Sequence, residues 1–245
     1  MAKPIPLADL PVYSRSNPPV AGTDFSTGAV FLVNKPKDWT SFDAVKYLRG
    51  RFKTKKVGHA GTLDPMATGL LIICTGKATK SISQIQEMKK AYIGEITFGG
   101  STPSYDAESD IDTTAETDHI TEELILQTLE HDFTGEIMQI PPMYSALKRD
   151  GKKLYELARR GKTVELAPRP ITIYRHRVLS FNNPVLKIEI ECSKGTYIRS
   201  IAHDLGKAVN SLGYLSALER TSIGDYSNSE ALTLEELNNI LRPNG

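Results

Sequence analysis

One carboxylate stands in a glycine-rich turn that follows a run of basic residues. The segment 55–71 reads KKVGHAGTLDPMATGLL, with Asp64 near its centre. Pro65 fixes its own backbone angle and biases Asp64 away from helical geometry. A carboxylate on such a shaped loop is a candidate catalytic group, because binding and catalytic side chains collect on rigid loops. The ordinary alternative is a structural turn, since Asp-Pro near glycine is a common turn signal.

The whole string is more specific than a turn signal. It closely resembles the motif that carries the catalytic aspartate in the TruB family of tRNA pseudouridine synthases. The form Gly-His-x-Gly-Thr-Leu-Asp-Pro-x-Ala-Thr-Gly is similar to TruB or to its RNA-guided relatives. Five more stretches resemble TruB motifs in family order and cover most of residues 29–226: NKPxxWTS at 34–41, KKAY at 89–92, PPMYSALK and its basic continuation at 141–161, CSKGTYIRS at 192–200, and LSALERTSIG at 215–224.

The resemblance implies roles for residues around a flipped uridine. Asp64 is the expected covalent nucleophile, Tyr92 is expected to stack on the base and help move a proton, and Arg199 is expected to pair with Asp64. The residues expected to bind the substrate are His59, Lys35, Tyr92, Tyr197 and Leu218. Arg220 is expected to have a structural or RNA-facing role.

Arg199 also stands out without the resemblance. It falls in the first turn of a predicted helix, where the helix dipole disfavours cations, so the placement suggests a specific carboxylate partner. The other candidates have ordinary interpretations that stay open: a tyrosine on a half-buried strand usually packs, a leucine is usually core, and a lone histidine is usually structural.

Basic and aromatic residues interleave in a segment at about 141–165. It resembles the RNA-clamping thumb of the family, a pattern suited to loop RNA. The residues expected to contact RNA are Tyr144, Lys148, Lys152, Lys153 and Arg159. We expect the thumb to be mobile without RNA.

The implied activity is isomerisation of uridine 55 in the T loop of tRNA to pseudouridine. The base must leave the stack to be reached. The reaction needs no redox change and no outside atom, so we expect no cofactor. The sequence also lacks a Walker loop, a dinucleotide fingerprint and any Cys/His cluster with metal-ligand spacing. Whether Asp64 attacks the base or the sugar, or supports a glycal intermediate, stays open.

Two alternative functions remain. One is an RNA-guided pseudouridine synthase subunit, and the other is a non-enzymatic chaperone that binds tRNA. The chain stops at Gly245 soon after its last predicted helix, so we expect a short bacterial form without a complete C-terminal PUA domain. That expectation disfavours the RNA-guided subunit, and the set of Asp64, Tyr92 and Arg199 disfavours a purely binding role.

Charge is segregated along a chain whose net charge is only +1. Residues 46–56 and 148–162 are mostly basic, whereas residues 106–132 are strongly acidic. A basic face for phosphates is therefore compatible with near neutrality, although these runs also fit simple solvated faces. We expect tRNA as the partner and a monomer as the oligomeric state. We also expect a cytoplasmic location, because no signal peptide or membrane span is apparent. Cys74 and Cys192 are expected to be buried free thiols.

The predicted elements alternate without a regular βαβ repeat. Strands are expected at about 29–33, 72–74, 92–98, 171–181 and 185–192, and helices at about 40–52, 79–87, 122–131, 152–160, 198–209 and from 233. This order predicts an α+β pseudouridine synthase fold with a large mixed, mostly antiparallel sheet flanked by helices and loops. Residues 1–26 are expected to be a poorly ordered or surface-draped extension, residues 99–119 a surface loop, and residues 27–245 the catalytic domain.

Overall fold

A computed structural model describes residues 5–145, 147–149, 151–158, 161 and 164–242. The chain divides into two compact units. The first unit comprises Met1–Tyr92 and Glu219–Gly245, and the second comprises Ile93–Leu218. Among the described residues, no helix is long and apolar enough to cross a membrane.

The elements are as follows. The strands are β1 (Val12–Tyr13), β2 (Ala29–Lys35), β3 (Val57–His59), β4 (Thr68–Thr75), β5 (Lys90–Phe98), β6 (Gly100–Ser101), β7 (Thr113–Thr114), β8 (Gly135–Gln139), β9 (Lys148–Arg149), β10 (Lys152–Lys153), β11 (Arg169–Asn182), β12 (Val185–Cys192), β13 (Gly213–Ile223), β14 (Tyr226–Ser227) and β15 (Leu232–Thr233). The helices are α1 (Ser41–Arg51), α2 (Ile82–Glu87), α3 (Glu122–Asp132), α4 (Leu154–Ala158), α5 (Ile198–Ala208) and α6 (Leu234–Leu241).

A mixed sheet forms the first unit. Strand β2 pairs antiparallel with β4 and parallel with β1 and β15, while β13 pairs parallel with β4 through Glu219 and Arg220. Successive side chains of β2 enter different cores: Phe31 packs with Leu48 of α1, and Val30 packs with Ile72. A strand buried on both faces explains the continuous apolar run in the sequence.

Residues 5–26, expected to be a poorly ordered or surface-draped extension, make ordered contacts with the first unit, although most of them are exposed. Strand β1 pairs with β2, Leu10 is buried, and the Tyr13 ring lies 5.7 Å from that of Phe25 and 5.1 Å from that of Phe31. Arg15 forms an ion pair with Glu236 at 2.8 Å. The segment therefore completes the first unit's core, because its few apolar residues meet matching surfaces contributed from elsewhere in the sequence.

The second unit contains antiparallel strands and two longer helices. Strand β11 pairs antiparallel with both β12 and β8. Helix α3 begins at Thr121, whose hydroxyl accepts from the Leu124 amide at 3.1 Å. Helix α5 buries an apolar face that includes Ile201 and Leu205. The α+β class with a mixed sheet is confirmed.

Three local expectations need correction. Thr196 follows Gly195 just before a predicted helix, a position that predicts an N-cap, but the cap residue of α5 is Tyr197 and the Thr196 hydroxyl donates to the Ser193 carbonyl at 2.9 Å. The expected helix at 152–160 is shorter, since Lys152–Lys153 is a strand and the helix spans Leu154–Ala158. The expected surface loop at 99–119 contains buried Thr102, Ser104 and Asp106.

Candidate active site

Asp64 lies in the loop between β3 and β4 of the first unit. Its side chain is half-buried, and its carbonyl accepts from the Ala67 amide at 3.1 Å, which closes a tight turn around Pro65. The turn therefore has the shape that the Asp-Pro pair predicts.

Buried side chains hold the backbone on both sides of Asp64. The Ser41 hydroxyl accepts from the Leu63 amide at 2.8 Å and donates to the Leu63 carbonyl at 3.2 Å. The Lys35 ammonium donates to the carbonyls of Pro36 at 2.8 Å, Trp39 at 2.5 Å and Pro65 at 3.2 Å. Since Lys35 is completely buried, its ammonium supports the loop in this structure rather than presenting a surface to a substrate.

Arg220 is the largest fully buried side chain near this loop and is only 1% exposed. Its Nε donates to the Leu70 carbonyl at 2.7 Å and its Nη2 donates to the Gly61 carbonyl at 3.1 Å. A longer contact of 3.5 Å joins Nη1 to the Thr62 carbonyl. The expected structural role of Arg220 therefore has a concrete form, in which the guanidinium holds both ends of the Asp64 loop.

Gly69 allows β4 and β13 to approach closely beside Arg220. Its φ is 96°, and a Cβ atom there would lie 2.4 Å from the Arg220 carbonyl oxygen. A side chain at this position would be strained and would clash with backbone. The pairing of Gly69 with Arg220 thus depends on glycine.

His59 ends β3 just before the loop. Burial lowers the pKa of His59, the Arg220 cation lowers it further, and a hydrogen bond with the Gly61 backbone opposes these effects. Its buried Nδ1 atom has no hydrogen-bond partner among the described residues. The imidazole is therefore neutral near pH 7.

Tyr92 lies in β5 at the end of the first unit's N-terminal part and is 9% exposed. A nearly buried tyrosine on a strand fits the ordinary packing interpretation in this structure. Stacking on a flipped base stays a prediction for Tyr92.

Arg199 occupies the first turn of α5 in the second unit and is 4% exposed. Its Nη1 lies 3.4 Å from Asp106 Oδ2 and donates to the Ser104 carbonyl at 3.0 Å. Its Nη2 donates to the Tyr144 carbonyl at 2.9 Å. The expectation that Arg199 needs a carboxylate is confirmed by Asp106, and its pairing with Asp64 stays a prediction.

Asp106 is a site residue that the sequence interpretation missed. It is completely buried, and its Oδ1 accepts from the Ser104 hydroxyl at 2.5 Å and the Glu108 amide at 3.0 Å. Its backbone forms a bridge with Leu215, about a hundred residues later in the chain. The only local signal was the pattern Ser-x-Asp, which is typical of side chains that bond neighbouring backbone.

Tyr197 directly precedes α5 and is held by Gln139. The Gln139 amide donates to the Tyr197 carbonyl at 3.0 Å, and its oxygen accepts from the Tyr197 amide at 2.9 Å. The Arg169 guanidinium lies 5.6 Å from the centre of the Tyr197 ring. Leu218 of β13 is 8% exposed. Their expected contacts with uracil stay predictions.

The thumb is described only in part. Tyr144 is half-buried and bonds Arg199 through its carbonyl. Arg159 and the side chains of Lys148, Lys152 and Lys153 lie outside the described residues. Within the described part of the chain, no group of three His, Cys, Asp or Glu residues is placed to hold a metal ion.

Comparison with known proteins agrees with the motifs. A sequence profile described as "TruB family pseudouridylate synthase (N terminal domain)" matches residues 49–198. A tRNA pseudouridine synthase B of Parabacteroides distasonis is 47% identical over 227 residues, which cover 90% of this chain and 96% of that protein. One from Bacteroides fragilis is 50% identical over 215 residues, covering 85% of this chain and 92% of that protein.

A solved structure supports the fold. The similar chain belongs to a Cbf5-Nop10-Gar1 complex, superposes with a TM-score of 0.69, and is 26% identical. The match covers 97% of the present chain and 60% of the solved one. The pseudouridine synthase fold expected from the motifs is confirmed by this similarity.

Proposed function

Because the chain belongs to the TruB family of pseudouridylate synthases, we propose that it is a tRNA pseudouridine synthase that converts uridine 55 in the T loop to pseudouridine. The observation that carries this proposal is the Asp64 loop. It has the family's motif, and buried side chains hold the backbone immediately before and after Asp64. Two relatives whose matches cover most of the chain bear the name tRNA pseudouridine synthase B.

In the proposed reaction, the bond between uracil N1 and ribose C1′ breaks, the base rotates, and a C5–C1′ bond forms. The C5 proton is then lost and N1 gains a proton, so no other reactant is consumed. Asp64 is the nucleophile: it forms a transient bond to the sugar or to the base, and that bond breaks again before the product is released. A rigid loop suits this role because the reacting atoms must be held in a narrow geometry. Tyr92 supports the flipped base by stacking and helps proton transfer.

The remaining residues serve the nucleophile and the base. Arg199 orients Asp64 and keeps it ionised. Neutral His59 helps to hold the target base out of the RNA stack, and Tyr197 and Leu218 line the uracil pocket. The thumb side chains Tyr144, Lys148, Lys152, Lys153 and Arg159 contact the RNA. The partner is the T stem-loop of tRNA, bound by a monomer in the cytoplasm.

Substitution of Asp64 by Asn tests the proposal directly. We expect Asp64→Asn to fold and bind tRNA with wild-type affinity but to form no pseudouridine, because the amide retains shape and lacks the nucleophilic oxygen. Chromatographic nucleoside analysis of tRNA before and after incubation measures the product. Asp9→Asn, an exposed aspartate in the N-terminal segment, is the matched control and should retain full activity.

Other outcomes separate the alternatives. Turnover by pure Asp64→Asn protein rules out Asp64 as nucleophile. Wild-type protein that binds tRNA without forming pseudouridine indicates a binding-only chaperone. Product that forms only when a guide RNA is added indicates an RNA-guided subunit.

A further inference from the structure

We propose that Arg220 is a positioning residue for catalysis, which acts on Asp64 through the backbone of the loop. This role rests on the proposed function, and it makes a buried residue of β13 necessary for full catalytic activity. It is carried by three observations in the first unit: the acceptors that Arg220 uses, the lack of a carboxylate partner among the described residues, and the placement of those acceptors relative to Asp64.

The acceptors of Arg220 all lie at the two ends of the Asp64 loop. Gly61 and Thr62 precede Asp64, and Leu70 follows it in β4. One planar guanidinium therefore donates hydrogen bonds to the chain just after β3 and again near the start of β4. Because the N–H groups of a guanidinium are fixed relative to one another, the two ends of the loop are held at a defined separation.

Among the described residues, Arg220 has no carboxylate partner. Its side chain is 1% exposed, and its hydrogen-bond acceptors are backbone carbonyls alone. A buried charge is unfavourable unless hydrogen bonds compensate for its lost hydration, and here the loop carbonyls provide those bonds. The bonds of Arg220 are thus made entirely with the loop backbone, whose geometry they fix.

Ser41 and Lys35 form hydrogen bonds with the backbone of the turn itself. They hold Leu63 and Pro65, the direct neighbours of Asp64, from the side of β2 and α1. Arg220 holds the loop farther out, at Gly61, whose φ of 100° gives the backbone its bend. Loss of the guanidinium is expected to let Gly61 and Thr62 shift while the turn itself survives.

His59 gives a readout that is independent of catalysis. The Arg220 cation is one cause of the lowered pKa of His59, together with burial. A variant that removes the charge therefore raises the pKa of His59, and a variant that keeps the charge leaves it low. Proton NMR of the imidazole during a pH titration reports this directly and needs no substrate.

The experiment compares Arg220→Met and Arg220→Lys with wild type in steady-state kinetics on tRNA. We expect Arg220→Met to lower kcat about 100-fold, the size of effect that a misplacement of about 1 Å produces. KM should stay within about three-fold of wild type, because Arg220 is expected to affect the transition state and not the binding of tRNA in the ground state. Arg220→Lys should recover part of kcat, because an ammonium keeps the charge but cannot clasp both ends of the loop.

A control separates positioning from general destabilisation. Leu237→Ala removes a fully buried side chain from α6 of the same unit, away from the loop. It should lower stability yet keep wild-type kcat at a temperature where the protein is folded. The pKa of His59 should rise in Arg220→Met and stay low in Arg220→Lys and Leu237→Ala.

Wild-type kcat in Arg220→Lys overturns the proposal, even if Arg220→Met does not fold. An equal loss of kcat in Leu237→Ala also overturns it, because destabilisation would then explain the effect. If the wild-type protein forms no pseudouridine, the proposed function fails instead, and the His59 titration still reports whether the Arg220 charge acts on His59.

Discussion

Arg199 and Asp106 form a buried pair, and each member makes further hydrogen bonds. Asp106 also accepts from Ser104 and the Glu108 amide, and Arg199 also donates to two carbonyls. Such a network ties the segment around Asp106 to the start of α5. Removal of Asp106 takes a buried counter-charge away from Arg199.

We therefore predict strong coupling in a double-mutant cycle. Asp106→Ala alone should destabilise the protein by about 3–5 kcal/mol, because it removes a buried counter-charge that lies 3.4 Å from the Arg199 guanidinium. Asp106→Ala combined with Arg199→Met should destabilise it by clearly less than the sum of the single changes. Urea unfolding at pH 7 measures both, and additive effects would show that the pair does not interact.

At the residue scale, the sequence predicted a carboxylate partner for Arg199 but did not point to Asp106. The position of Arg199 in a helix's first turn suggests a carboxylate, and the Asp106 carboxylate lies 3.4 Å away. Asp106 was hidden because its neighbours are polar and acidic, which is typical of a surface loop. Its burial comes from the bridge to Leu215, a contact that no local pattern encodes.

The starts of α1 and α6 follow closely from local sequence patterns. Thr40 with Asp43 and Thr233 with Glu236 form capping boxes in the structure, as their spacing indicates. These bonds are local, so a few consecutive residues contain all the information. The cap expected at Thr196 failed because its hydroxyl bonds the preceding turn instead.

The α6 capping box predicts a pH dependence of stability. Bonds with the Thr233 backbone, and then with Arg15, hold the pKa of Glu236 below its ordinary value of 4.5. A depressed pKa in the folded state contributes stability above about pH 4.5, and this contribution is lost as pH falls through the lower folded pKa.

Glu236→Gln should therefore lower the free energy of unfolding at pH 7 by less than about 1 kcal/mol, as expected for an exposed charge. The difference from wild type should shrink below pH 4.5. Chemical denaturation at several pH values tests this, with Glu235→Gln as the neighbouring control. A difference that grows on acidification would contradict the assignment.

For the whole molecule, the N-terminal segment is part of the fold. Leu10 and Tyr13 fill positions in two different cores on the two faces of β2. Composition misled the prediction here, because a segment rich in proline and serine has no periodicity. Its apolar residues are placed by partners far along the chain, which include Ala231 and Leu232.

Deletion of residues 1–13 should consequently lower Tm by about 10 °C or more. The deletion removes β1 and two core side chains, each worth about 2–5 kcal/mol, and 1 kcal/mol shifts Tm by about 2–4 °C at this size. Calorimetry provides the measurement. Val20→Ser, a change at a side chain that is 70% exposed, should leave Tm within 1–2 °C, and an unchanged Tm in the deletion would show that the segment is dispensable.

The lack of a side chain at Gly69 limits which substitutions this position can accept during evolution. Since even a methyl group there meets the main chain of Arg220, β13 can lie against β4 in this alignment only while position 69 stays empty. A slip of one residue would turn the guanidinium to the opposite face of the sheet. The location of the Arg220 cation in the fold therefore depends on the lack of a Cβ atom at residue 69.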